Sequence, residues 1–298
     1  MSTIDQKILD SLFRDIVKFY SSSQTSLITL RAIIKAVKFL ECEDDMFCVQ
    51  IREVCKIITN SQPRMFPIDN LIILLEHELK KNSYFENKNI SVKKSGTIEI
   101  IEDLITRLNY DMRELANQGL DHITDGDFIV LHAVEEPVEL LLPEAKKMGK
   151  EFEVLILRQE SVKTNRVIKI MEENQIKFTV IPEWDLIHTF DKVTKLFIGA
   201  YAITADGRFV SDSGTSNIVS ECYIHKLPIY LFAPILEITP TVSDNQNLYL
   251  KEESQYASGV DYTLISHSCD IVNLDLVNHI ITDQGEISKE KLKGYCIV

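Results

Sequence analysis

Nothing in this sequence pairs its cysteines. The six are Cys42, Cys48, Cys55, Cys222, Cys269 and Cys296. They contain no CxxC and no Cys/His cluster at zinc-ligand spacing, which excludes a zinc ribbon or finger and predicts no metal site. Free, reduced thiols are the expectation, and with them a cytoplasmic location. Long apolar runs are missing too. None approaches the roughly 18 residues that suggest a membrane span. The first residues, MSTIDQKILD, lack a basic stretch followed by an apolar one, so no signal peptide is read. Basic charge is scarce: 32 Lys and Arg stand against 45 Asp and Glu, a net charge of −13. Such a chain is a poor match to a nucleic-acid backbone, which needs clustered cations. It suits a protein partner with a basic surface instead. No GxGxxG and no GKS/T is present, so no nucleotide cofactor is predicted. Ser213 and Ser216 have no His or Asp at triad spacing.

What is present falls into two grammars. Up to about residue 118 the apolar residues recur every three or four positions, the period of amphipathic helices. Ile4, Ile8, Leu12, Ile16 and Phe19 mark a helix over 4–20, stopped at Ser21-Ser22-Ser23. A second covers 26–40 with Thr25 as N-cap, and the acidic link ECEDD follows at 41–45. A third covers 46–59, a fourth 68–81, and a fifth runs from about Ser95 to Gln118. After Gly119, continuous apolar runs alternate with helical patterns. Phe128–Leu131, Phe152–Leu157, Phe178–Ile181 and Leu196–Ile198 are the runs. They start roughly 25 residues apart, the length of a strand plus a crossover helix. Continuous apolar strands are what a parallel sheet covered on both faces requires. The spacing predicts helices near 136–148 and 164–175, with a short one near 183–190. In the tail, 241–257 reads as a polar loop, Tyr262–Ile265 and Ile280–Thr282 as strands, and Ser288–Tyr295 as a closing helix.

One stretch organises the second half: TKLFIGAYAITADGRFVSDSGTSNIVSECYIHKLPIYLFAP, from Thr194 to Pro234. An apolar run closes at Gly199-Ala200, Asp206-Gly207 signals a hairpin turn, and Ser213-Gly214-Thr215 opens a helical pattern. A second apolar run spans Pro228–Ala233. The helix start at Gly214-Thr215 has two readings, an anion site built from free backbone N–H groups or a tight strand-to-helix turn. In order and spacing this stretch resembles the alpha, beta and delta regulatory subunits of translation initiation factor 2B and the related sugar-phosphate isomerases. Its end, LFAPILEITP, is most similar to the beta subunit. The tail CDIVNLDLVNHIITDQG resembles the family's terminal element through Asp270, Asp275, Leu276 and Gly285, without its paired prolines. The resemblance covers about Leu120 to Gly285. It implies an α/β fold: an N-terminal all-helical domain over 1–118, then a Rossmann-like, mostly parallel open sheet with helices on both faces over 119–298.

The resemblance also says where chemistry would sit. The isomerase relatives carry a cysteine after the first strand of the α/β domain and an aspartate directly after Gly-Ala. Those positions hold Ala133 and Tyr201 here. A methyl group transfers no proton. An arginine turn after the second strand matches Arg158-Gln159-Glu160, and the Asn-Lys before Gly-Thr is Ser211-Asp212. An aspartate beside a helix N-terminus repels a phosphate. The expected pocket is therefore degenerate, formed by Ala133, Gln159, Tyr201, Asp212, Gly214, Thr215 and Asp283, with no catalytic residue. His132 reads as a catalytic base or as a satisfied buried histidine. Glu135, Glu136 and Glu139 read as a carboxylate site or as the acidic start of a helix. Trp184, Ile187 and Phe190 read as core. Ile235 and Leu236, just past a strand end, either cover their own core or meet a partner.

The function implied is a non-catalytic regulatory subunit, beta-like, of the guanine-nucleotide exchange factor for initiation factor 2. Its partners would be related regulatory subunits, the catalytic exchange-factor subunits, and initiation factor 2 through its alpha subunit. No direct nucleic-acid or membrane partner is expected. The alternatives are the alpha subunit of the same complex and an isomerase relative that has lost its catalytic residues.

Overall fold

Ser21 starts the first described helix by a reciprocal cap. Its side chain accepts the Gln24 N–H at 3.2 Å, and Gln24 Oε1 accepts the Ser21 N–H at 3.4 Å. The structure, a computed structural model, describes residue 16 and residues 20–61, 66–81, 88–239 and 250–295. The helix expected over 4–20 lies almost wholly outside them. Helix α1 is Ser22–Phe39. Thr25, expected as its cap, sits inside it and donates Oγ1 to the Ser21 carbonyl. Helix α2 is Phe47–Thr59 and α3 is Phe66–Lys81. Helix α4, Ile90–Gly119, begins five residues before the expected Ser95. Asn89 Oδ1 accepts the Val92 N–H, and Asp44 from the acidic link accepts the Ile90 N–H, so the first turn's free donors are met upstream. Leu30, Ile33, Val37, Phe47, Ile51 and Leu75 are buried in this helical part. Cys55 is buried with them, and burial pushes its thiol up to about 11. Contacts divide the chain into two units on either side of the Glu114–Leu115 bond, within α4.

The second unit is built on a seven-stranded sheet. Its strands are β1 (Asp127–His132), β2 (Phe152–Arg158), β3 (Lys177–Pro182) and β4 (Lys195–Gly199). Two short strands then leave the sheet, β5 (Ala202–Thr204) and β6 (Arg208–Asp212). They turn at Asp206-Gly207, as read, with Gly207 at φ +92°. Strand β7 (Ile229–Phe232) returns to the large sheet, and β8 (Ile238–Thr239) pairs with β5. A hairpin follows, β9 (Leu250–Ala257) and β10 (Val260–His267). Strand β11 (Cys269–Asn273) joins β6, and β12 (His279–Thr282) and β13 (Gly285–Ile287) finish the large sheet. Its order is β3-β2-β1-β4-β7-β12-β13, parallel throughout except for β13.

Alternate residues of each strand feed two cores. Val130, Leu155, Leu196, Ile198 and Leu231 face helix α7 (Thr215–Ile224) and the small β11-β6-β5-β8 sheet, through Ile218, Val219, Ile203 and Phe209. Ile129, Leu131, Val154, Ile156 and Phe197 face α5 (Glu136–Lys147) and α6 (Ser161–Glu173), through Val138, Leu141, Val167 and Met171. Both faces are apolar, which is why the runs show no alternation.

Two local expectations are corrected, and two details are added. Residues 250–257, read as loop, form β9, while 240–249 lie outside the described residues. Strand β11 had no apolar run to announce it. The closing helix is present over Lys289–Tyr295, in the 3-10 form. Trp184 and Ile187 are not core: they are 73% and 54% exposed. Glu183–His188 is a 3-10 turn on the edge strand's end, and only Leu186 of it is buried. Phe190 does pack inward, stacked on His225 with ring centroids 4.0 Å apart. Among the described residues, no helix is long and apolar enough to cross a membrane.

Candidate functional site

Strand order reverses between β1 and β4, so the crevice at their carboxyl ends is where an open α/β sheet holds a ligand. The register puts His132 level with Ile198 there. The next residue, Ala133, turns at φ +48°. Its N–H donates to Gln159 Oε1 at 2.9 Å, and its carbonyl accepts the Gly199 N–H at 3.0 Å. A Cβ on Gly199 would stand 2.9 Å from that carbonyl and 2.7 Å from the Glu135 side chain, so only glycine permits this approach.

Lys163, from the first turn of α6, reaches into the crevice. Its Nζ is 2.5 Å from Asp212 Oδ1 and donates to Tyr201 Oη at 2.6 Å. Tyr201 in turn donates its hydroxyl to the same Asp212 oxygen. Burial pushes the Asp212 carboxyl up, but the Lys163 charge and the hydrogen bonds from Lys163 and Tyr201 outweigh it and hold the carboxyl below its usual range. Burial pulls the Lys163 ammonium down, and the charges of Asp212 and Glu135 more than offset this. The Tyr201 phenol is pushed well above its usual value by burial, then by Asp212, Glu135 and Cys269. Near neutral pH the three are fixed as cation, anion and neutral phenol. None is poised to exchange a proton there, as a general acid or base must be.

The helix that starts beside this cluster already holds an anion of the chain's own. Gly214, at φ +92°, precedes α7. Its N–H and that of Ser216 both donate to Asp270 Oδ2, at 3.0 and 2.9 Å. Asp270 comes from β11, where it is paired with Ser211. A carboxylate on a helix N-terminus is the arrangement expected of a bound phosphate there. Thr215 Oγ1 donates to the Asp212 carbonyl at 2.6 Å and lies 3.0 Å from His132 Nε2. With its one hydrogen so used, the Thr215 oxygen is left to accept from His132 Nε2. His132 Nδ1 faces Glu183 Oε1 at 3.3 Å without hydrogen-bond alignment.

Six of the seven residues expected in the pocket, Ala133, Gln159, Tyr201, Asp212, Gly214 and Thr215, are thus gathered around the ends of β1, β4 and β6. Asp283 is the correction. It lies beyond β12, two strands past β4 and so about 10 Å away. There its Oδ1 accepts the Ile235 N–H at 2.6 Å. Ile235 is itself half-buried against the core on the α7 face, and Leu236 is half-buried beside it. Glu139, in the first turn of α5, is buried and paired with Arg166 at 2.5 Å. A cavity of about 470 Å³ lies at the opposite end of the sheet, against Asp127, Phe152 and Lys177, and holds none of these groups.

Lys163 and Glu183 escaped the reading of the sequence, and so did the role of Asp270 at the α7 start. Lys163 sits among polar residues of an amphipathic helix, and 49 residues separate it from Asp212. No local pattern marks such a residue. The only available signal for Asp270 was its place in the family's terminal element.

Residues 19–289 match the Initiation factor 2 subunit family. The chain is 22% identical to translation initiation factor eIF2B subunit delta of Dictyostelium discoideum, over 90% of this chain and 47% of that protein. It is 25% identical to eIF2B subunit beta of the same organism, over 64% of this chain and 52% of that protein. The chain therefore spans about half the length of these two subunits. It is 20% identical to ribose 1,5-bisphosphate isomerase of Archaeoglobus fulgidus, over 85% of this chain and 82% of that protein. In fold it is similar to the translation initiation factor eIF-2B of Pyrococcus horikoshii, with a TM-score of 0.79 and 20% identity, covering 96% of this chain and 98% of the other.

Proposed function

Since this chain belongs to the Initiation factor 2 subunit family, we propose that it is a non-catalytic regulatory subunit of the guanine-nucleotide exchange factor for translation initiation factor 2. One observation carries the non-catalytic part. At the positions matching the isomerases' cysteine and aspartate stand Ala133 and Tyr201, and Tyr201 is tied into the Lys163–Asp212 pair. The Asp270 carboxylate on the α7 N-terminus supports the same reading, since an incoming phosphate would have to displace it. The segment LFAPILEITP favours a beta-type subunit. The alignment with a delta subunit across 90% of this chain favours a second, delta-type reading.

In this reading the domain after Gly119 assembles with related regulatory subunits in the cytoplasm. The helical domain over 1–118 meets initiation factor 2 through its alpha subunit, and the catalytic subunits dock on the assembled core. The test has two arms. Purified protein should turn over neither ribose 1,5-bisphosphate nor methylthioribose 1-phosphate. Turnover that a Tyr201 or Asp212 variant abolishes would sink the non-catalytic reading. A pull-down from native extract should recover subunits of this family.

A further inference from the structure

A second group of titratable side chains gathers at the amino end of the sheet, where helix α4 runs into β1. The link between the two is a 3-10 turn, Leu120–His122. Two lysines hold this link by its backbone. Lys150 Nζ donates to the carbonyls of Leu120 and Ile123, the second at 2.7 Å, and Lys195 Nζ donates to that of His122 at 2.9 Å. The His122 ring is half-buried beside the starts of β7 and β12. Its centroid is 5.2 Å from that of Tyr230 and 5.9 Å from that of His279. Tyr230 and His279 are level neighbours on those strands, and their rings stack at 4.3 Å, 11° from parallel. His279 Nδ1 lies 2.8 Å from Glu286 Oε1 on β13. Lys195 Nζ lies 5.8 Å from the centre of the Tyr230 ring.

The groups facing His122 are Asp121 on its own turn, Lys195 on β4, Tyr230 on β7, His279 on β12 and Glu286 on β13. Of the two carboxylates, Glu286 is already turned to His279, and Asp121 stands exposed. Lys195 is itself matched by Asp127 at 2.7 Å. A proton on His279 therefore meets a carboxylate. A further proton on His122 sets two charged rings 5.9 Å apart, beside an ammonium. Burial pulls the His122 ring down most; Glu286 and Asp121 push it up, His279 and Lys195 pull it down, and the balance lies below the usual imidazole range. Tyr230 stays neutral, its phenol pushed up by burial, then by Asp127 and Glu286. We propose that the His122–Tyr230–His279 stack is a proton-operated clasp: neutral, it holds the Leu120–His122 turn on the starts of β7 and β12, and acid releases the turn. Helix α4 ends directly in this turn, and Leu115 and Ala116 of its last turns share a core with Phe232 and Ile281. Release therefore loosens the end of α4. A released His122 takes its proton at the ordinary value of about 6.5, and a docked one only at lower pH. Docking is therefore full above about 6.5 and weakens as pH falls below it. The clasp needs no partner and holds whether or not the chain is a regulatory subunit.

The experiment is amide exchange, read by mass spectrometry on the purified full chain between about pH 7.5 and 5.5, a span that brackets the unperturbed imidazole. Rates are corrected for their intrinsic pH dependence. Protection over 118–124 should fall several-fold at the acid end, while that of β2 stays level. In His122→Gln, whose side chain is polar and takes no proton, protection of the turn should not vary with pH. His279→Gln leaves Glu286 to face His122 alone, so acid should loosen the turn less than in wild type. His225→Gln, at the ring stacked on Phe190, should respond as wild type does. A second measurement needs no variant. Deuterium exchange at the imidazole C2 position of wild-type His122 should give a midpoint below about 6.5. A midpoint at or above that value, or a turn that acid does not loosen, overturns the clasp. Acid loosening that persists in His122→Gln, that is unchanged in His279→Gln, or that spreads equally over β2 overturns it as well.

Discussion

Two buried ion pairs stand at opposite ends of β1 and β4. At the amino end, Lys195 Nζ lies 2.7 Å from Asp127 Oδ2, and at the carboxyl end Lys163 lies 2.5 Å from Asp212. The first joins the starts of two adjacent strands, 68 residues apart in sequence. Asp127 also accepts from the Thr124 N–H and from the hydroxyls of Thr124 and Thr194, and Lys195 also donates to the His122 carbonyl. Thr194 and Lys195 begin one strand where Asp127 begins the next. The second pair joins α6 to β6 across the crevice and takes in Tyr201 on the way. Both carboxyls are held below their usual range although burial pushes each up. The pairs share that direction and differ in place. The amino-end pair fixes strand starts, whereas the carboxyl-end pair occupies ground where a parallel sheet offers ligands a site.

The largest test of this comparison removes one carboxylate at a time. Asp127→Ala and Asp212→Ala should each cost about 3–5 kcal/mol in denaturant melts, because each strands a buried ammonium. Added phosphate should recover part of the loss in Asp212→Ala and none in Asp127→Ala. Equal rescue, or none in either, would remove the distinction between a structural pair and one that stands in for a ligand. Next in size is Asp270→Ala, which frees two N–H groups of α7. It should lower stability by about 1–2 kcal/mol. It should also make the melting temperature rise more steeply with sulfate than that of wild type, which gains only the general stabilisation that an excluded salt gives.

A pH series gives a smaller effect with a definite sign. Asp127 and Asp212 have lowered folded-state values. Their contribution is therefore full above the unfolded aspartate value of about 3.9 and fades as pH falls through the folded one. Lys163 has a raised folded-state value, so its contribution is full below the unfolded lysine value of about 10.4 and fades as pH rises through the folded one. Asp212→Asn should flatten the alkaline limb, and Asp127→Asn should leave it. An alkaline limb unchanged in Asp212→Asn would show that Lys163 is not held by that carboxylate. The smallest effect on the folded monomer belongs to the hairpin. Ile265→Asp should change unfolding free energy by less than about 0.5 kcal/mol at nanomolar concentration, since its side chain already faces water. A larger loss there would place Ile265 in a core of its own chain.

What the sequence determined by itself is whatever a local period can carry. Helices α1 to α4 and the strands β1 to β4 and β7 were legible because burial imposes 3.6-residue spacing on one and unbroken apolarity on the other. Strand β9 was not, because LKEESQYA carries neither an apolar run nor an apolar alternation to show. Positions 133 and 201 could be read as lacking a thiol and a carboxylate, since that takes only an alignment of local patterns. What replaced them was decided by the tertiary structure. Lys163 meets Asp212 across 49 residues, and Asp270 meets Gly214 and Ser216 across more than 50. Such pairs exist only once the sheet order has brought α6, β6 and β11 to one crevice. A lysine on a polar helix face or an aspartate in a polar strand reads in sequence as a solvated charge until the fold removes the water around it.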